Sequence, residues 1–270
     1  MKALVFLVRR LAFSLALIAA VASLTFLVSR TLPGDPARIL VGPQASESDV
    51  ARARTLYGLD ASLGAQYARF WQRLVHRPST GAEHQSCKSA GALHVDLGWS
   101  HRSRKGVAEL IAQRAPRSLE LATVAAVLQL VFGVTLGTLS GRRRGSTLDE
   151  ISVAVTLLTV SAPTFVIGVL LQYVLAHRLG WLPLDGGGGD PAAIVLPALT
   201  LGIYGAAFYA RLVREELGRA IESERFRAAR ARGASTTRAL VVHAWRSALP
   251  SVLTLFVLEL GALIGGAIVT

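Results

Sequence analysis

The chain has 270 residues, of which 52% are hydrophobic and 17% are charged, with a net charge of +12. Soluble domains carry about 25% charged residues, so this composition argues against an ordinary soluble domain. The basic excess would suggest nucleic acid as the partner of a soluble chain, but the arginines gather at the ends of apolar stretches, which favours a lipid bilayer and no nucleic acid. The single cysteine, Cys87, excludes an intrachain disulfide framework.

Five stretches are long and apolar enough to cross a bilayer, which needs about 20 residues. They predict an all-α membrane protein, a polytopic helical bundle with spans at about 1–30, 118–141, 150–177, 192–213 and 247–270. The first stretch also fits a cleaved signal peptide, because Lys2, Arg9 and Arg10 precede its apolar run. Its apolar run continues through Val28, which favours a membrane span.

Basic residues predict the orientation of the spans. Arginines cluster before the first span, in the second connection at 142–144 and in the fourth connection between 211 and 246. Because basic residues of short loops stay in the cytoplasm, the amino terminus and these two connections are predicted to be cytoplasmic. Residues 31–117 and the loop at 177–191 then lie outside.

The outer segment 31–117 predicts a small periplasmic module between the first two spans. Ser46, followed by Glu47 and Asp49, has the pattern of a helix start. Aromatic residues at helical spacing in 67–74 indicate a packing surface. Residues 77–93 have no periodicity and predict a flexible excursion.

Small residues and one proline mark the remaining 118–270 core. Gly133, Gly137 and Gly141 share one helix face, and Gly261 and Gly265 do the same in the last span. Such rows allow close helix packing, within the chain as the favoured interpretation or against a second membrane subunit. In addition, Pro163 is predicted to bend the third span.

The sequence contains no constellation that predicts a catalytic, cofactor-binding or metal site. It has no phosphate-binding Gly-x-x-x-x-Gly-Lys-Ser/Thr loop, so energy for transport would come from a partner or from an ion gradient. Glu259 is an ionisable residue inside a span, which marks it as a functional candidate. We assign Glu259, Pro163 and Gln172 to a translocation pathway as a hypothesis, with a structural role for Glu259 equally open.

The polar segment 221–234, between the fourth and fifth spans, predicts a short cytoplasmic helix. Phe226, Ala229 and Gly233 share a narrow face, and arginines flank it. Gly233 suits the position just after a helix, and Ser235 or Thr236 suits the start of the next. The helix fits a groove on a partner protein, or alternatively rests on anionic headgroups.

The motif Arg227-Ala-Ala-Arg-Ala-Arg-Gly233 resembles the E-A-A-x-x-x-G pattern of binding-protein-dependent ABC transporter permeases, with Arg in place of Glu. It is also similar to the aromatic-x-x-x-Ala-Arg-Ala-Lys/Arg-Gly pattern of the dipeptide/oligopeptide branch, with a shortened spacing after the aromatic residue. By this resemblance the helix couples to an ATPase subunit. The residues assigned to coupling are Phe226, Arg227, Ala228, Ala229, Arg230, Arg232, Gly233 and Ala234.

Further motifs in the order of that branch extend the resemblance along the chain. They are Leu32-Pro-Gly-Asp-Pro36, Tyr57-Gly-Leu-Asp60, Asp96-Leu-Gly-Trp-Ser100, Ala115-Pro-Arg-Ser-Leu-Glu-Leu121, Gly180-Trp-Leu-Pro183, Leu196-Pro-Ala-Leu199 and the tail 258–270. Residues 77–93 are longer than the branch leads us to expect. The family continues into a sixth span after residue 270, so we expect the sequence to be incomplete or trimmed.

The resemblance implies a permease subunit of an ATP-driven importer in the bacterial inner membrane. It would carry dipeptides or oligopeptides, or a related small solute such as haem or nickel. The implied partners are a second homologous permease, two ATPase subunits that bind ATP and Mg, and an extracytoplasmic substrate-binding protein. The chain itself would not be an enzyme. A gradient-driven channel or carrier, and a membrane scaffold subunit without ATPase coupling, remain alternatives.

Overall fold

A computed structural model of the chain describes residues 2–31, 35–42, 44–76, 94–100, 103, 105–184 and 191–269. They form two compact units, Met1–Ala112 and Gln113–Thr270. The elements of the first unit are helices α1 Lys2–Thr31, α2 Pro36–Val41, α3 Glu47–Leu56 and α4 Leu63–Leu74, and strands β1 Val75–His76, β2 His94–Val95, β3 Trp99–Ser100 and β4 Lys105–Gly106.

Local capping defines the short helices of the first unit. Asp35 caps α2, where its side chain accepts a hydrogen bond from the Ala37 amide and proline occupies the first turn. Ser46 caps α3 through the amide of Asp49, as its sequence predicts. Arg54 of α3 also pairs with Asp35 at 2.5 Å, which joins the start of α2 to the last turn of α3 in one small module.

The aromatic face of α4 packs against the end of α1. The rings of Tyr67 and Phe70 each lie 5.4 Å from the ring of Phe26, measured between centroids. The hydroxyl groups of Tyr67 and Ser23 are hydrogen-bonded at 2.7 Å. The predicted packing role of this face is therefore confirmed.

Two short antiparallel ladders complete the first unit. Strand β1 pairs with β2 through Val75 opposite Val95, and β3 pairs with β4 through Trp99 opposite Gly106. The predicted flexible excursion 77–93, which includes Cys87, lies outside the described residues.

The second unit is built of helices. They are α5 Val107–Arg142, which begins in the first unit, α6 Thr147–Ser161, α7 Thr164–Leu171 with a π-helical continuation Gln172–Arg178, a 3₁₀ turn Pro191–Ile194, α8 Val195–Glu222, α9 Glu224–Ala231, α10 Thr236–Ala239 with a π-helical continuation Leu240–Ala244, and α11 Trp245–Val269. The predicted all-α, polytopic fold is confirmed.

In the part of the chain that the structure describes, four single helical segments are long and apolar enough to cross a membrane. They are Leu4–Arg30, Val107–Arg142, Ala192–Glu222 and Thr236–Gly265. Three of them extend beyond the predicted boundaries, since α5 starts before residue 118, α8 ends after 213 and the last begins before 247. Hydropathy finds the lipid-embedded part of a helix, whereas backbone hydrogen bonds continue into polar sequence.

The third predicted span, at 150–177, is broken. Helix α6 ends at Ser161, α7 begins at Thr164, and the two are bent by 106°. The expected bend at Pro163 is therefore a complete break, in which Ala162 is extended and Pro163 starts the second helix. A residue before proline is disfavoured in the helical conformation, which explains why the break falls at this pair.

Helix α8 supplies the centre of the second unit. Its residues Tyr209, Val213 and Leu217 are fully buried and lie one turn apart on one face. They form a hydrophobic cluster with the continuation of α10 and the start of α11.

Candidate coupling segment and pathway residues

Residues 221–234, which we call the coupling segment after their predicted role, are divided by Ser223, which separates α8 from α9. Its extended backbone breaks the helix, while its hydroxyl group accepts a hydrogen bond from the Phe226 amide at 3.3 Å and donates one to the Ala220 carbonyl at 2.6 Å. The predicted single helix over 221–234 is therefore corrected to Glu224–Ala231. Serine competes for backbone hydrogen bonds in this way at helix starts.

The end of α9 is a complete Schellman motif. Gly233 has φ +86, its amide donates to the Arg230 carbonyl at 3.0 Å, and the amide of Ala234 donates to the Ala229 carbonyl at 3.2 Å. Glycine adopts this left-handed conformation without the cost that a Cβ atom imposes. Ser235 then caps α10 through the Arg238 amide, so both predicted end signals are confirmed.

The face that carries Phe226 and Ala229 points into the chain. Phe226 is 7% exposed and Ala229 is 2% exposed, and both belong to the cluster around Val213 and Leu217. The prediction that this face fits a partner's groove is therefore wrong for these two residues. Apolar periodicity identifies a shared face, but the chain's own α8 and α10 bury it.

The opposite face of α9 is exposed. At 100° per residue, Glu224, Arg227, Ala228 and Ala231 surround the side of the helix that lies opposite the middle of the face formed by Phe226 and Ala229. All four are exposed. The assigned residues Arg232 and Gly233 are exposed and Ala234 is partly buried.

Two of the assigned arginines bind the backbone at the two ends of α9. The guanidinium group of Arg227 donates to the Glu222 carbonyl at 2.8 Å, and that of Arg230 donates to the Ala234 carbonyl at 2.7 Å. Each bond spans one of the turns that flank the helix. The two arginines thus fix the orientation of α9 relative to the chain on either side.

The three pathway candidates lie in different elements. Glu259 lies in α11, partly exposed and within electrostatic range of the Tyr209 hydroxyl group. That hydroxyl is buried and has no hydrogen-bond partner among the described residues. Pro163 forms the break between α6 and α7, and the side-chain amide of Gln172 donates to the Leu184 carbonyl at 2.9 Å. Their assignment to a pathway stays a prediction.

The glycine row of α5 packs directly on α8. A Cβ atom added at Gly137 would lie 2.5 Å from the Ala210 carbonyl oxygen, and one added at Gly133 would lie 2.6 Å from that of Ala206. The favoured interpretation of intrachain packing is confirmed for this row. At Gly261 an added Cβ atom would meet nothing within 4 Å among the described residues, and the same holds at Gly265. Within the described part of the chain, the favoured interpretation of intrachain packing is therefore not met at these two glycines.

A buried polar network, which sequence reasoning missed, joins three helices. Asp149, in the first turn of α6, has a side chain only 4% exposed. Arg214 of α8 donates to both of its carboxylate oxygens, from Nε to Oδ1 at 2.6 Å and from Nη2 to Oδ2 at 2.8 Å. The hydroxyl group of Ser140 on α5 donates to Oδ1, and the Gly145 amide donates to Oδ2 at 3.0 Å. We call Ser140, Gly145, Asp149 and Arg214 the α6 lock.

A second arginine also joins the turn after α5 to α8, next to the α6 lock. The guanidinium group of Arg144, in the turn between α5 and α6, donates to the carbonyl groups of Arg214 and Glu215 at 3.2 and 3.4 Å. It lies over Gly218, where an added Cβ atom would come within 2.0 Å of it. Two of the predicted basic clusters, 142–144 and the one that begins at 211, therefore meet at the same end of the second unit.

Comparison with known proteins gives consistent relationships over the chain. Residues 133–270 match the family described as binding-protein-dependent transport system inner membrane component, and residues 3–122 match its N-terminal region. Glutathione transport system permease protein GsiC of Escherichia coli O6:H1 is 34% identical over 264 residues, covering 98% of this chain and 80% of the relative. The protein of the same name from Salmonella choleraesuis is 34% identical, covering 92% and 75%.

Among solved structures, the chain is similar to a chain of the MetNI methionine ABC transporter in inward-facing conformations. The two are 24% identical, with a TM-score of 0.48, over 59% of this chain and 72% of that chain.

Proposed function

The chain belongs to the family of binding-protein-dependent transport system inner membrane components, and from this premise we propose that it is the permease subunit of an ATP-driven importer of short peptides, including glutathione-like tripeptides. Support for the substrate class comes from the relatives, which are named for glutathione, itself a tripeptide. They favour a peptide over haem or nickel. The chain is a multi-pass component of the inner membrane.

The observation that carries the coupling role is the arrangement of α9. Phe226 and Ala229 hold the helix against α8, while Arg227, Ala228 and Ala231 remain exposed at the end of the second unit. Small side chains beside an arginine allow close approach of another protein's groove. We assign docking onto an ATPase subunit to this exposed face.

The proposal includes the partners and the orientation. A second similar permease, two ATPase subunits that bind ATP and Mg, and an extracytoplasmic binding protein complete the importer. Because the basic clusters at 142–144 and after 211 meet at one end of the second unit, that end is assigned to the cytoplasm. Two spans, in α1 and α5, precede the cluster at 142–144, so the amino terminus is assigned to the cytoplasm as well.

Glu259, Pro163 and Gln172 keep their assignment to the translocation pathway within this proposal. Glu259 lies within electrostatic range of the Tyr209 hydroxyl group, which is buried and has no hydrogen-bond partner among the described residues. This pair of polar groups inside the spans supports the assignment. Glu259→Gln tests the charge. Uptake reduced by this variant supports the pathway role, and unchanged uptake removes the carboxylate from it.

The coupling role is tested on the complete importer, co-expressed with its ATPase, second permease and binding protein and reconstituted in vesicles. Gly233→Val forces a β-branched residue into a left-handed backbone, whereas Gly233→Asn places a tolerated residue there. An added Cβ atom has open space among the described residues, so the backbone alone distinguishes the two variants. We expect Gly233→Val to lose ATP-driven uptake of labelled glutathione or dipeptide, and Gly233→Asn to retain most of it.

The docking face is tested by placing negative charge on its small residues. Ala228→Glu and Ala231→Glu should release the ATPase during purification, while Arg219→Gln on the exposed side of α8 serves as the control. Normal retention of the ATPase by both alanine variants would contradict docking through this face. Uptake without ATP would instead support the gradient-driven alternative, and a complex that transports nothing would support the scaffold alternative.

A further inference from the structure

Helix α6 is apolar in sequence, yet polar residues provide its buried contacts. The buried residues of this helix are Asp149 and Ser152, whereas Ile151 is 59% exposed and Leu158 is 71% exposed. A cleft of about 350 Å³ separates its apolar side chains from Leu136 of α5. Apolar side chains gain little from packing on one another in lipid, because the lipid tails are equally apolar. The bidentate contact at the polar end of α6 is therefore the one that fixes its position most specifically.

By contrast, α5 and α8 are already in backbone contact. The glycine row at 133, 137 and 141 lets the two helices approach until carbonyl groups of Ala206 and Ala210 face α5 directly. Helices in such contact slide little, since any shift brings backbone atoms into collision. These two helices form one rigid pair, and α6 is attached to that pair by the α6 lock.

The α6 lock has the geometry of a specific joint. Both oxygens of the Asp149 carboxylate are occupied, each by one nitrogen of Arg214 and by one further donor from Ser140 or Gly145. A bidentate arginine pair fixes both distance and angle, which a single hydrogen bond does not. A buried charge pair is weak evidence for stability, and fixing one geometry is its better attested use.

The same joint is connected to the coupling segment. Arg214 lies eight residues before α8 ends at Glu222, a distance of about 12 Å along the helix axis. Phe226 of α9 belongs to the same hydrophobic cluster as Leu217, which lies between the lock and the end of α8. A displacement of α9 is therefore passed to the part of α8 that carries Arg214.

We propose that Asp149 and Arg214, with Ser140, are positioning residues that make α6 follow α8 when the ATPase moves α9, so that the motion reaches the broken span α6–α7. The inference rests on the proposed importer function. The inference concerns how motion passes between helices. Without the bidentate pair, α8 still moves, but α6 no longer moves with it. Nucleotide hydrolysis is then uncoupled from opening of the translocation pathway.

The first experiment measures the coupling ratio, defined as labelled glutathione or dipeptide imported per ATP hydrolysed, in the reconstituted complete importer. Asp149→Asn and Arg214→Gln each remove the ion pair with little change in volume, and Arg211→Gln removes an exposed arginine one turn earlier on α8. We expect each lock variant to lower the ratio by about tenfold, a coupling effect of ordinary size, and the control to leave it unchanged. A wild-type ratio in both lock variants would overturn the proposal.

A double variant separates positioning from folding. Asp149→Asn together with Arg214→Gln leaves no unpaired buried charge, so the amount of assembled complex should return towards the wild-type level. The coupling ratio should remain low, because a neutral pair does not reproduce the bidentate joint. Recovery of both assembly and coupling in the double variant would show that the single variants suffer only from an unpaired charge, and would overturn the proposal.

The second experiment observes the joint directly. With Cys87→Ser as background, spin labels at the exposed positions Glu150 on α6 and Arg219 on α8 report the distance between the helices by pulsed electron paramagnetic resonance. We expect one narrow distance that is the same with and without ATP, and a broader, nucleotide-dependent distribution after Asp149→Asn. A nucleotide-dependent distance in the parent protein would refute the rigid joint.

The two proposals fail in different ways. If the importer assignment is wrong, the parent complex itself shows no ATP-driven uptake, and Gly233→Val has nothing to abolish. If only the lock is wrong, the parent complex imports substrate with ATP and responds to Gly233→Val, while the lock variants keep the parent's coupling ratio.

Discussion

The contact between α5 and α8 gives the most direct prediction, because the chain contains its own control. Gly137→Ala would place a Cβ atom 2.5 Å from the Ala210 carbonyl oxygen and 2.8 Å from the Val213 Cβ atom. Gly261→Ala introduces the same methyl group in α11, where nothing among the described residues lies within 4 Å. Both positions are inside membrane-spanning helices, so the two variants differ mainly in the space available.

The expected magnitude follows from the geometry. Ordinary van der Waals contact begins near 3.4 Å, so the helices must separate by roughly 0.9 Å to accept the methyl group at Gly137. Overpacking of this kind costs about 1–3 kcal/mol of unfolding free energy. Alanine also gains up to about 1 kcal/mol over glycine in helix propensity. That gain is common to both variants, so Gly137→Ala should be less stable than Gly261→Ala by about 1–3 kcal/mol.

The assay is the free energy of unfolding of the isolated chain in bicelles, measured by steric trapping with labels on an exposed pair of residues. Gly141→Ala provides an intermediate point, since its Cβ atom would lie 3.2 Å from the Arg214 carbonyl oxygen. We expect the order of stability Gly261→Ala, then Gly141→Ala, then Gly137→Ala. A Gly137→Ala variant as stable as Gly261→Ala would refute the close contact of α5 with α8.

Three further predictions concern single contacts. Phe226→Ala should lower the stability of the coupling segment by about 3–5 kcal/mol, because the ring is 7% exposed, and amide hydrogen exchange in α9 should rise, whereas Arg225→Ala leaves that exchange unchanged. The hydrogen bond from Arg54 lowers the pKa of Asp35, so the stabilisation it gives the outer module is present above about pH 4 and is lost as the pH falls through the lowered pKa. Thermal unfolding of the outer module should show this loss, and Asp35→Asn should remove the dependence. Tyr67→Phe, which deletes a 2.7 Å hydrogen bond to α1, should cost about 1 kcal/mol in the same measurement.

Each of these has an outcome that contradicts it. Unchanged exchange in α9 after Phe226→Ala would mean that the ring does not anchor the helix. An unaltered acid transition after Asp35→Asn would remove the ion pair with Arg54 from the stability of the module. Equal thermal stability of Tyr67→Phe and the parent would mean that packing of the rings, and not the hydroxyl group, joins α4 to α1.

Helix ends were predictable from the sequence because capping is local. Ser46, Gly233 and Ser235 occupy the positions that their residue types favour, and each hydrogen bond that they form reaches no farther than four residues. The missed helix start at Ser223 is of the same kind. Serine preceded by a helix-forming run gives a weaker signal than glycine, since it also tolerates a helix interior.

The orientation of α9 could not be predicted in the same way. Helical spacing placed Phe226 and Ala229 on one face, and that face exists. Whether it binds a partner or the chain's own core depends on α8 and on the continuation of α10, and the contacts with both are tertiary. A periodic pattern states which side chains share a surface, but not which surface buries them.

The α6 lock could not be predicted from the sequence for a related reason. In the sequence, Ser146 and Asp149 have the spacing of a helix start, and Ser146 does cap α6. That local role accounts for both residues and leaves no reason to seek another. Arg214 lies 65 positions away, in a cluster of arginines. Every arginine of that cluster is explained by a cytoplasmic location, so none stands out as the partner of a buried acid.

The two glycine rows show what the spacing rule leaves undecided. Gly133, Gly137 and Gly141 repeat every four residues, as do Gly261 and Gly265. Only the first row meets a neighbouring helix among the described residues, and there the backbone contact creates the rigid pair on which the α6 lock acts. Equal glycine spacing therefore predicts that either helix can pack closely on a neighbour. Whether it does so depends on whether a neighbouring helix faces the row. If the second row serves a partner, Gly261→Ala should leave the isolated chain stable and weaken its assembly with the second permease.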